Sequence, residues 1–376
     1  MTKIMLLTNK RIAIIGAGPV GLTMARLLQQ KGVDVTVYER DQNPEARIWG
    51  GTLDLHKGSG QNAMQKAGLL QKYYDKAIPM GRIMADFQGN IVFSKEISAE
   101  EIYDGPEINR NDLRTLLIHS LEKDTVIWDR KLIDIEPQNE EWLLHFENGN
   151  TASADFVIGA NGGMTAIRKY LTNAEVELTG TYMIQGEVAK PQINNPEFYQ
   201  FCDGKILMTS HNGCSLVANP KNNNALSYNV IFKMPENINL DFRNTESITQ
   251  FLLNTFSNWG EIYKDLFSST SFYAGLPTKK ISVEEPWKNN RPLPLTLIGD
   301  AAHLMPPFAG QGANIGLLDA LILSENLLDG NFKTIEHAIQ NYEERMFVYA
   351  QEAQNETRAN EIEMHKSDFS FLRFVN

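Results

Sequence analysis

Short apolar runs and amphipathic stretches alternate at the beginning of the chain. Residues 11–15 form a β-branched apolar run, which is typical of a parallel strand buried on both faces. Apolar side chains then recur at helical spacing over residues 19–31, and Gly32 marks the predicted helix end. Residues 33–38 alternate as a second strand. This order predicts a βαβ unit and therefore an α/β fold with a parallel sheet.

The pattern changes in the middle of the chain and then returns. Between about 172 and 285, short alternating runs are separated by Asn-rich and Gly-rich turns, which predicts an antiparallel sheet. Residues 333–364 form one long polar helix pattern with a predicted buried stripe of Tyr342, Met346, Tyr349 and Ala350. We expect three parts: a discontinuous α/β domain of residues 1–171 and 286–330, an antiparallel-sheet domain of residues 172–285, and a C-terminal helix in residues 331–376.

The composition is that of a globular protein with a sizeable core. Hydrophobic residues make up 42% of the 376 residues and charged residues 22%. The net charge of −11 disfavours nucleic acid and anionic membrane partners, which need a basic surface. Two cysteines, no apolar run of about 18 residues and no signal-type segment predict a cytoplasmic protein.

The first strand and helix enclose a glycine motif. Gly16 permits a tight turn, Gly18 has no Cβ and lets the backbone approach a pyrophosphate, and Gly21 allows close helix packing. The helix N-terminus then points unpaired N–H groups at the phosphates. Glu39 ends the second strand, where a carboxylate accepts the ribose hydroxyls and repels a 2′-phosphate. Together these features predict a site for the AMP half of FAD or NAD, with Arg40 as its neighbour.

A second motif, nearly three hundred residues later, favours FAD over NAD. An apolar strand ends at Gly299 and Asp300, which places a carboxylate at the carboxyl edge of the sheet, within reach of a ribityl chain. Pro307 stiffens the next turn, and Gly310 precedes a helix whose N-terminus suits the anionic edge of a reduced flavin. Asp300 alone also suits an ordinary helix N-cap. Both motifs together favour a flavin dinucleotide.

These segments resemble the class A flavin-dependent aromatic hydroxylases, the group that includes p-hydroxybenzoate hydroxylase. A middle Asp-Gly fingerprint is present at residues 155–168, with Asn161 and Thr165 replacing the usual Asp and Ser. Within the group, the chain is most similar to the tetracycline-inactivating monooxygenases of the TetX type, over residues 9 to 371. The passages that carry this resemblance are residues 38–41, 46–60, 106–114, 126–131 and 303–312.

The resemblance implies a fold and a chemistry. It implies a Rossmann-like FAD-binding domain of the p-hydroxybenzoate hydroxylase type, an antiparallel-sheet substrate domain and a long C-terminal helix. In such enzymes NADPH or NADH visits transiently and reduces FAD, O2 adds to the flavin, and the C4a-hydroperoxide hydroxylates the substrate. The flavin carries the chemistry, so we expect no catalytic side chain and no metal site. His303 is a weak candidate for a catalytic base and fits better as a capping or packing residue.

The resemblance also implies which residues bind the cofactor and the substrate. Cofactor-binding residues would be Gly16, Gly18, Gly21, Glu39, Arg40, Arg47, Asp54, Arg114, Asp300, Pro307 and Gly310. Substrate-pocket residues would be Gln185, Ile206, Ser227, Phe308, Met364 and Phe371. The family has an arginine at the position of Ile206 and a histidine at that of Ser227, and losing each hydrogen-bonding group costs about 1–3 kcal/mol. The resemblance makes a tetracycline the leading substrate. Because these two groups are missing, a less polar polycycle or another planar phenolic compound is the alternative.

Two other classes of function share the fold. A flavin-dependent halogenase carries a Trp-x-Trp-x-Ile signature, which none of the five tryptophans forms. A flavin-binding protein without turnover is disfavoured by the intact second motif. We therefore expect a monomeric or weakly associated FAD monooxygenase that consumes NAD(P)H and O2.

Overall fold

A computed structural model describes residues 6–46, 50–234 and 240–374. Its helices are α1 (Pro19–Gln29), α2 (Gly60–Lys66), α3 (Leu70–Tyr74), α4 (Arg110–Ile118), α5 (Pro191–Asn194), α6 (Pro196–Phe201), α7 (Thr245–Thr255), α8 (Glu261–Ser268), α9 (Asp300–His303), α10 (Gly312–Leu328) and α11 (Ile335–Met364), with short 3-10 helices at Ala166–Tyr170 and Phe371–Phe374. Its strands are β1 (Ile12–Ile15), β2 (Val35–Tyr38), β3 (Thr52–Asp54), β4 (Arg82–Ala85), β5 (Ile91–Lys95), β6 (Glu107–Asn109), β7 (Val126–Ile127), β8 (Leu132–Gln138), β9 (Glu141–Phe146), β10 (Thr151–Ala154), β11 (Phe156–Gly159), β12 (Val176–Ala189), β13 (Ile206–His211), β14 (Cys214–Asn222), β15 (Ala225–Lys233), β16 (Phe272–Ile281) and β17 (Leu295–Leu297).

The first sheet is parallel, as the sequence predicts. Its strands run in the order β17-β11-β1-β2-β7, and each neighbouring pair is parallel. All four residues of β1 are buried, because helices cover both faces of such a sheet. In this order only β11 lies between β1 and β17, although β17 comes from the last third of the chain. The two sequence motifs therefore end at the same edge of one sheet.

The second large sheet has seven strands in the order β16-β12-β15-β14-β13-β4-β5. The antiparallel strands predicted between residues 172 and 285 form most of it. However, β4 and β5, which the sequence-based division assigns to the first domain, extend it, with β4 parallel to β13. Helices α7 and α8, which the alternating pattern did not predict, contribute Ile248, Leu252 and Tyr263 to the core on one face of this sheet.

The C-terminal helix α11 is the predicted long helix. Tyr342, Met346 and Ala350 of the predicted stripe are buried, while Tyr349 is half-buried. The helix packs along α10, and its last residue, Met364, joins a buried cluster on the other face of the seven-stranded sheet. It thus contacts both parts of the fold. In the described portions of the chain, no helix is both long enough and apolar enough to span a membrane.

Candidate active site

The glycine turn after β1 combines two crowded positions with one open position. Gly16 has φ +109°, and a Cβ added there would lie 2.6 Å from the Ala160 carbonyl oxygen. A Cβ on Gly21 would lie 2.2 Å from the Gly16 carbonyl oxygen. At Gly18, the N-cap of α1, no atom lies within 4 Å of an added Cβ. The protein itself requires the first and third glycines, whereas the second leaves free space at a helix N-terminus, where an anion binds well.

Glu39 closes this turn from the neighbouring strand. Its Oε2 accepts a hydrogen bond from the Ala17 amide at 2.5 Å, and its Oε1 accepts one from the Asp41 amide at 3.0 Å. The side chain is buried, whereas Arg40 beside it is exposed. The carboxylate is thereby fixed at the carboxyl edge of the sheet, next to the free space at Gly18.

Arg114 lies behind the same turn and not beside the second motif. Its Nε donates to the Ala17 carbonyl oxygen at 3.1 Å, and a terminal nitrogen lies 2.8 Å from an Asp41 carboxylate oxygen. The guanidinium carbon lies 5.2 Å from the centre of the Trp128 ring, within range of a cation–π interaction. Arg114 is buried and joins the glycine turn to the segment after Glu39. Arg47, the other predicted arginine, lies outside the described residues.

Asp300 follows β17 and lies beside the start of α10. The N-cap of α9 is Gly299, which has φ +63°, so Asp300 is the first residue of that helix rather than its cap. The residue is exposed, yet desolvation by the surrounding protein raises the pKa of its carboxyl group, against the charges of His303 and Arg110. A Cβ on Gly312, at the start of α10, would lie 3.9 Å from Asp300 Oδ1. The acidic group and the helix N-terminus are therefore neighbours. Pro307 and Gly310 are exposed in the intervening loop.

Asp54, at the end of β3, lies beside the same end of α10, and we call the region between Asp300 and Asp54 the cleft. Its Oδ2 is 3.0 Å from His56 Nε2, and the Asn314 amide donates to the Asp54 carbonyl oxygen at 3.0 Å. Asn314 Oδ1 also accepts the His56 amide at 2.7 Å, which joins β3 to α10. Asp54 is directly opposite Glu107 in the β3–β6 pair.

Arg110 belongs to this cleft, and the sequence analysis missed it. Asn109 caps α4 by accepting the amides of Asn111 and Asp112 at 2.8 and 3.3 Å, so Arg110 begins the helix. Burial lowers the pKa of Arg110, and the charges of Asp300 and Glu107 oppose that effect. Its buried Nε has no hydrogen-bond partner in the described part of the chain. The sequence could have indicated this residue, because Arg110 lies in the passage 106–114 that carries the resemblance. From that passage the resemblance implied Arg114 as the cofactor-binding residue.

These features fit FAD. A donor such as Arg110 Nε and an acceptor such as Asn161 Oδ1, both buried and without partners among residues 6–46, 50–234 and 240–374, need a ligand or water to satisfy them. The free space at Gly18 suits the pyrophosphate, and the cleft between Asp300 and Asp54 suits the ribityl chain and ring. When bound, FAD supplies the reaction with O2, and the protein supplies position and electrostatics.

The predicted substrate residues share one face of the seven-stranded sheet. Met84, Met183 and Ile231 form a buried cluster there with Met364, Phe369 and Phe371, and Phe308 and Met208 pack against it. Because side chains alternate along a strand, Gln185 shares the face of Met183, Ser227 that of Ile231, and Ile206 that of Met208. Gln185 is 3% exposed, and its Oε1 lacks a partner within the described residues. We call this surface the substrate wall.

His303 is a packing residue, as the sequence analysis favoured. Its side chain is completely buried and its Nε2 lies 2.7 Å from Asp319 Oδ2. Burial alone would lower its pKa, but the charge and hydrogen bond of Asp319 outweigh burial and raise it. A buried ring paired with Asp319 is placed to pack and orient the core, not to reach a substrate as a base.

Comparison with known proteins identifies the family. Residues 9–355 match the model of the family described as FAD binding domain. Kynurenine 3-monooxygenase of Cytophaga hutchinsonii is 28% identical over 341 residues, which covers 87% of this chain and 74% of that protein.

Solved structures support the fold over almost the whole chain. Klebsiella pneumoniae HpxO complexed with FAD and uric acid has a TM-score of 0.80 at 19% identity, covering 97% of this chain and 91% of that one. The tetracycline destructase Tet(55) has a TM-score of 0.73 at 20% identity, covering 96% and 90%. The likeness confirms the predicted p-hydroxybenzoate hydroxylase-type fold. The chain belongs to the FAD binding domain family and is an FAD-dependent monooxygenase, in a family for which NAD(P)H use is typical.

Proposed function

We propose that this enzyme hydroxylates a polycyclic, oxygen-rich aromatic compound, with a tetracycline as the leading substrate and NADPH as the reductant. The observation that carries this proposal is the substrate wall. It combines a methionine- and phenylalanine-rich cluster with the buried amide of Gln185, whose oxygen has no partner in the described ranges. A flat ring system packs on the apolar part, and a substrate hydroxyl donates to Gln185 Oε1.

Specific residues hold the cofactor in this proposal. Gly16, Gly18, Gly21, Glu39 and Arg40 surround the AMP half, and Asp54, Asp300, Pro307 and Gly310 surround the ribityl chain and ring. Arg110 joins the second group because its buried guanidinium interacts electrostatically with Asp300. Arg114 acts indirectly, since its bonds to Ala17 and Asp41 hold the glycine turn in place.

The C-terminal segment covers the substrate wall and excludes water. His365 Nε2 lies 2.7 Å from Thr181 Oγ1, and Ser210 Oγ donates to the Phe369 carbonyl oxygen at 2.9 Å. These bonds fix the segment that carries Phe369 and Phe371 onto β12 and β13. The closed apolar surface protects the reaction from solvent, and Met364 and Phe371 orient the substrate ring.

A second candidate is the same chemistry on a smaller or less polar phenolic compound. Ile206 is apolar and Ser227 is small, so the wall offers fewer polar groups than a heavily hydroxylated polycycle would use. The named relatives and structures also point to different substrates, including kynurenine and uric acid.

The decisive experiment is mass spectrometry of tetracycline incubated with the flavin-loaded enzyme, NADPH and air. We expect a product heavier by one oxygen atom, absent without NADPH and absent with heat-inactivated enzyme. NADPH consumption without an oxygenated tetracycline would instead favour the second candidate, and the same assay with smaller phenols would identify its acceptor.

A further inference from the structure

Arg82 lies on the substrate wall beside Ile206. Strand β4 pairs with β13 in parallel, and Arg82 is the direct partner of Ile206 in that pair. Ile83 packs into the core on the opposite face, whereas Met84 belongs to the cluster of the substrate wall. Side chains alternate along a strand, so Arg82 shares the face of Met84. The exposed side chain of Arg82 is therefore directed to the side on which the substrate binds.

Arg82 is part of a polar row across the sheet. Asn219 pairs with Ser227 between β14 and β15, and Ser227 pairs with Glu187 between β15 and β12. Ile206 lies one step beyond the Leu207–Ala218 pair, next to Asn219. The Asn219 amide donates to Thr52 Oγ1 at 2.9 Å, so this row borders the cleft that contains Asp54 and Asp300. It marks the edge of the wall nearest to the cofactor site.

Arg82 forms no side-chain hydrogen bond or salt bridge with the residues that the structure describes. Lys95, the residue paired with Arg82 on β5, is 2.6 Å from Glu101. No carboxylate of the described residues forms a salt bridge with Arg82. Its charge lowers the pKa of Glu107 from a distance, against a larger rise from burial. A guanidinium presents several donors in a planar fork that matches a carboxylate or an enolate. Arg82 thus offers unused donors at the edge of the substrate wall.

We propose that Arg82 is a specificity-determining residue that binds an anionic oxygen of the substrate, such as an enolate, a phenolate or a carboxylate. This inference rests on the proposed function, because it assigns a role within the same substrate site. It also explains how Ile206 is tolerated where the resemblance implies an arginine: the guanidinium comes from the adjacent strand, about 4.8 Å away. A tetracycline, with its acidic enol system, meets this requirement, and a neutral phenol does not.

The test uses the flavin-loaded enzyme and its Arg82→Met variant, which preserves the length of the side chain. Tetracycline binding is measured without NADPH from the change in flavin absorbance, and KM and kcat are measured separately. We expect the variant to raise the tetracycline Kd and KM at least about tenfold, as for the loss of a charge-assisted pair, with the KM for NADPH unchanged. Binding of 2-naphthol, which is neutral at pH 7, should not change.

Two further variants make the test specific. Arg243→Met removes another arginine, which is 92% exposed and pairs with Asp241, and should leave all constants unchanged. The exchange Arg82→Val with Ile206→Arg returns the guanidinium to the adjacent strand and should restore tetracycline binding to within a few-fold of the wild type. Flavin content and melting temperature verify that each variant is folded.

The failures of the two proposals are distinguishable. Equal tetracycline binding by wild type and Arg82→Met would overturn the role of Arg82 and leave the proposed function intact. A rise in the KM for NADPH alone would overturn it too, in favour of a coenzyme contact. If the wild type neither binds nor oxygenates tetracycline, the proposed substrate fails. Kynurenine and urate then replace it as probes, and equal binding of both by wild type and variant overturns the role of Arg82.

Discussion

His303 Nε2 and Asp319 Oδ2 lie 2.7 Å apart, with both side chains completely buried between α9 and α10. The same carboxylate oxygen accepts the Gly299 amide at 2.6 Å, and the Tyr349 hydroxyl donates to Oδ1. Asp319 therefore joins the residue before Asp300 to the long C-terminal helix. Moving the turn would break the hydrogen bonds of the buried Asp319 carboxylate and leave its charge uncompensated, which is costly. The network therefore holds the Gly299–Asp300 turn in one conformation.

Asp319→Asn should weaken both folding and cofactor binding. The substitution keeps the size of the side chain but removes the carboxylate that pairs with the buried ring of His303, so we expect a loss of about 3 kcal/mol in the free energy of unfolding. Urea unfolding measures that loss, and the flavin retained on purification measures the displacement of Asp300. Tyr349→Phe, which removes one hydrogen bond, should cost only about 1 kcal/mol. Equal effects of the two variants would contradict the central position of Asp319.

Gly18 and Gly21 should respond to substitution in opposite ways. Gly18→Val places a side chain in free space, so the protein should fold with a nearly unchanged melting temperature but be colourless, because the valine occupies the place of the pyrophosphate. Gly21→Ala places a Cβ 2.2 Å from the Gly16 carbonyl oxygen and should lower stability by about 1–3 kcal/mol. The flavin-to-protein absorbance ratio and thermal unfolding distinguish the two effects. A Gly18→Val protein with full flavin content would show that the pyrophosphate binds elsewhere.

Local pattern predicts much of this fold because each signal is contained in a short segment. The apolar run at β1, the glycines after it and the stripe of α11 each determine one element through nearby residues. The meeting of the two motifs also follows from the sequence, since the carboxyl ends of parallel strands share one edge of the sheet.

Side-chain direction and strand partnership could not be predicted in the same way. Arg110 and Arg114 lie one turn apart on the same side of α4, and the sequence does not show that the first acts on Asp300 whereas the second bonds to the glycine turn. The pairing of β4 with β13 joins residues more than a hundred positions apart, and no local pattern records it. The sequence pattern did not predict α7 and α8, because these two short helices lie between strands whose alternating apolar residues indicate a sheet.

Arg110→Met should reduce flavin affinity more than Arg114→Met does. The first variant removes a buried guanidinium on which the charge of Asp300 acts, so we expect at least a tenfold rise in the FAD Kd with a small change in the stability of the flavin-free protein. The second breaks the bonds to Ala17 and Asp41, so stability should fall by about 2–4 kcal/mol. Titration of the flavin-free proteins with FAD, combined with urea unfolding, separates binding from folding. A larger loss of FAD affinity in Arg114→Met than in Arg110→Met would show that Arg114 binds the cofactor directly, as the sequence analysis predicts.

Glu107 should make the stability of the protein depend on pH. Burial, with a smaller effect of the charge on Asp54, raises the pKa of Glu107 from 4.5 to about 7, against opposing effects of Thr52, Arg82 and Arg110. Between these values the folded state keeps a proton that the unfolded state has lost, so stability falls as the pH rises through this window. Glu107→Gln removes the titration. The free energy of unfolding of the wild type relative to this variant should therefore drop by about 2–3 kcal/mol between pH 4.5 and 7.5.

Urea unfolding across this pH range provides the measurement, with Glu285→Gln, at an exposed position, as the control that should parallel the wild type. Parallel curves for the wild type and Glu107→Gln would mean that the carboxylate is already ionised at pH 5, and that the cleft beside Arg110 is more polar than its burial indicates.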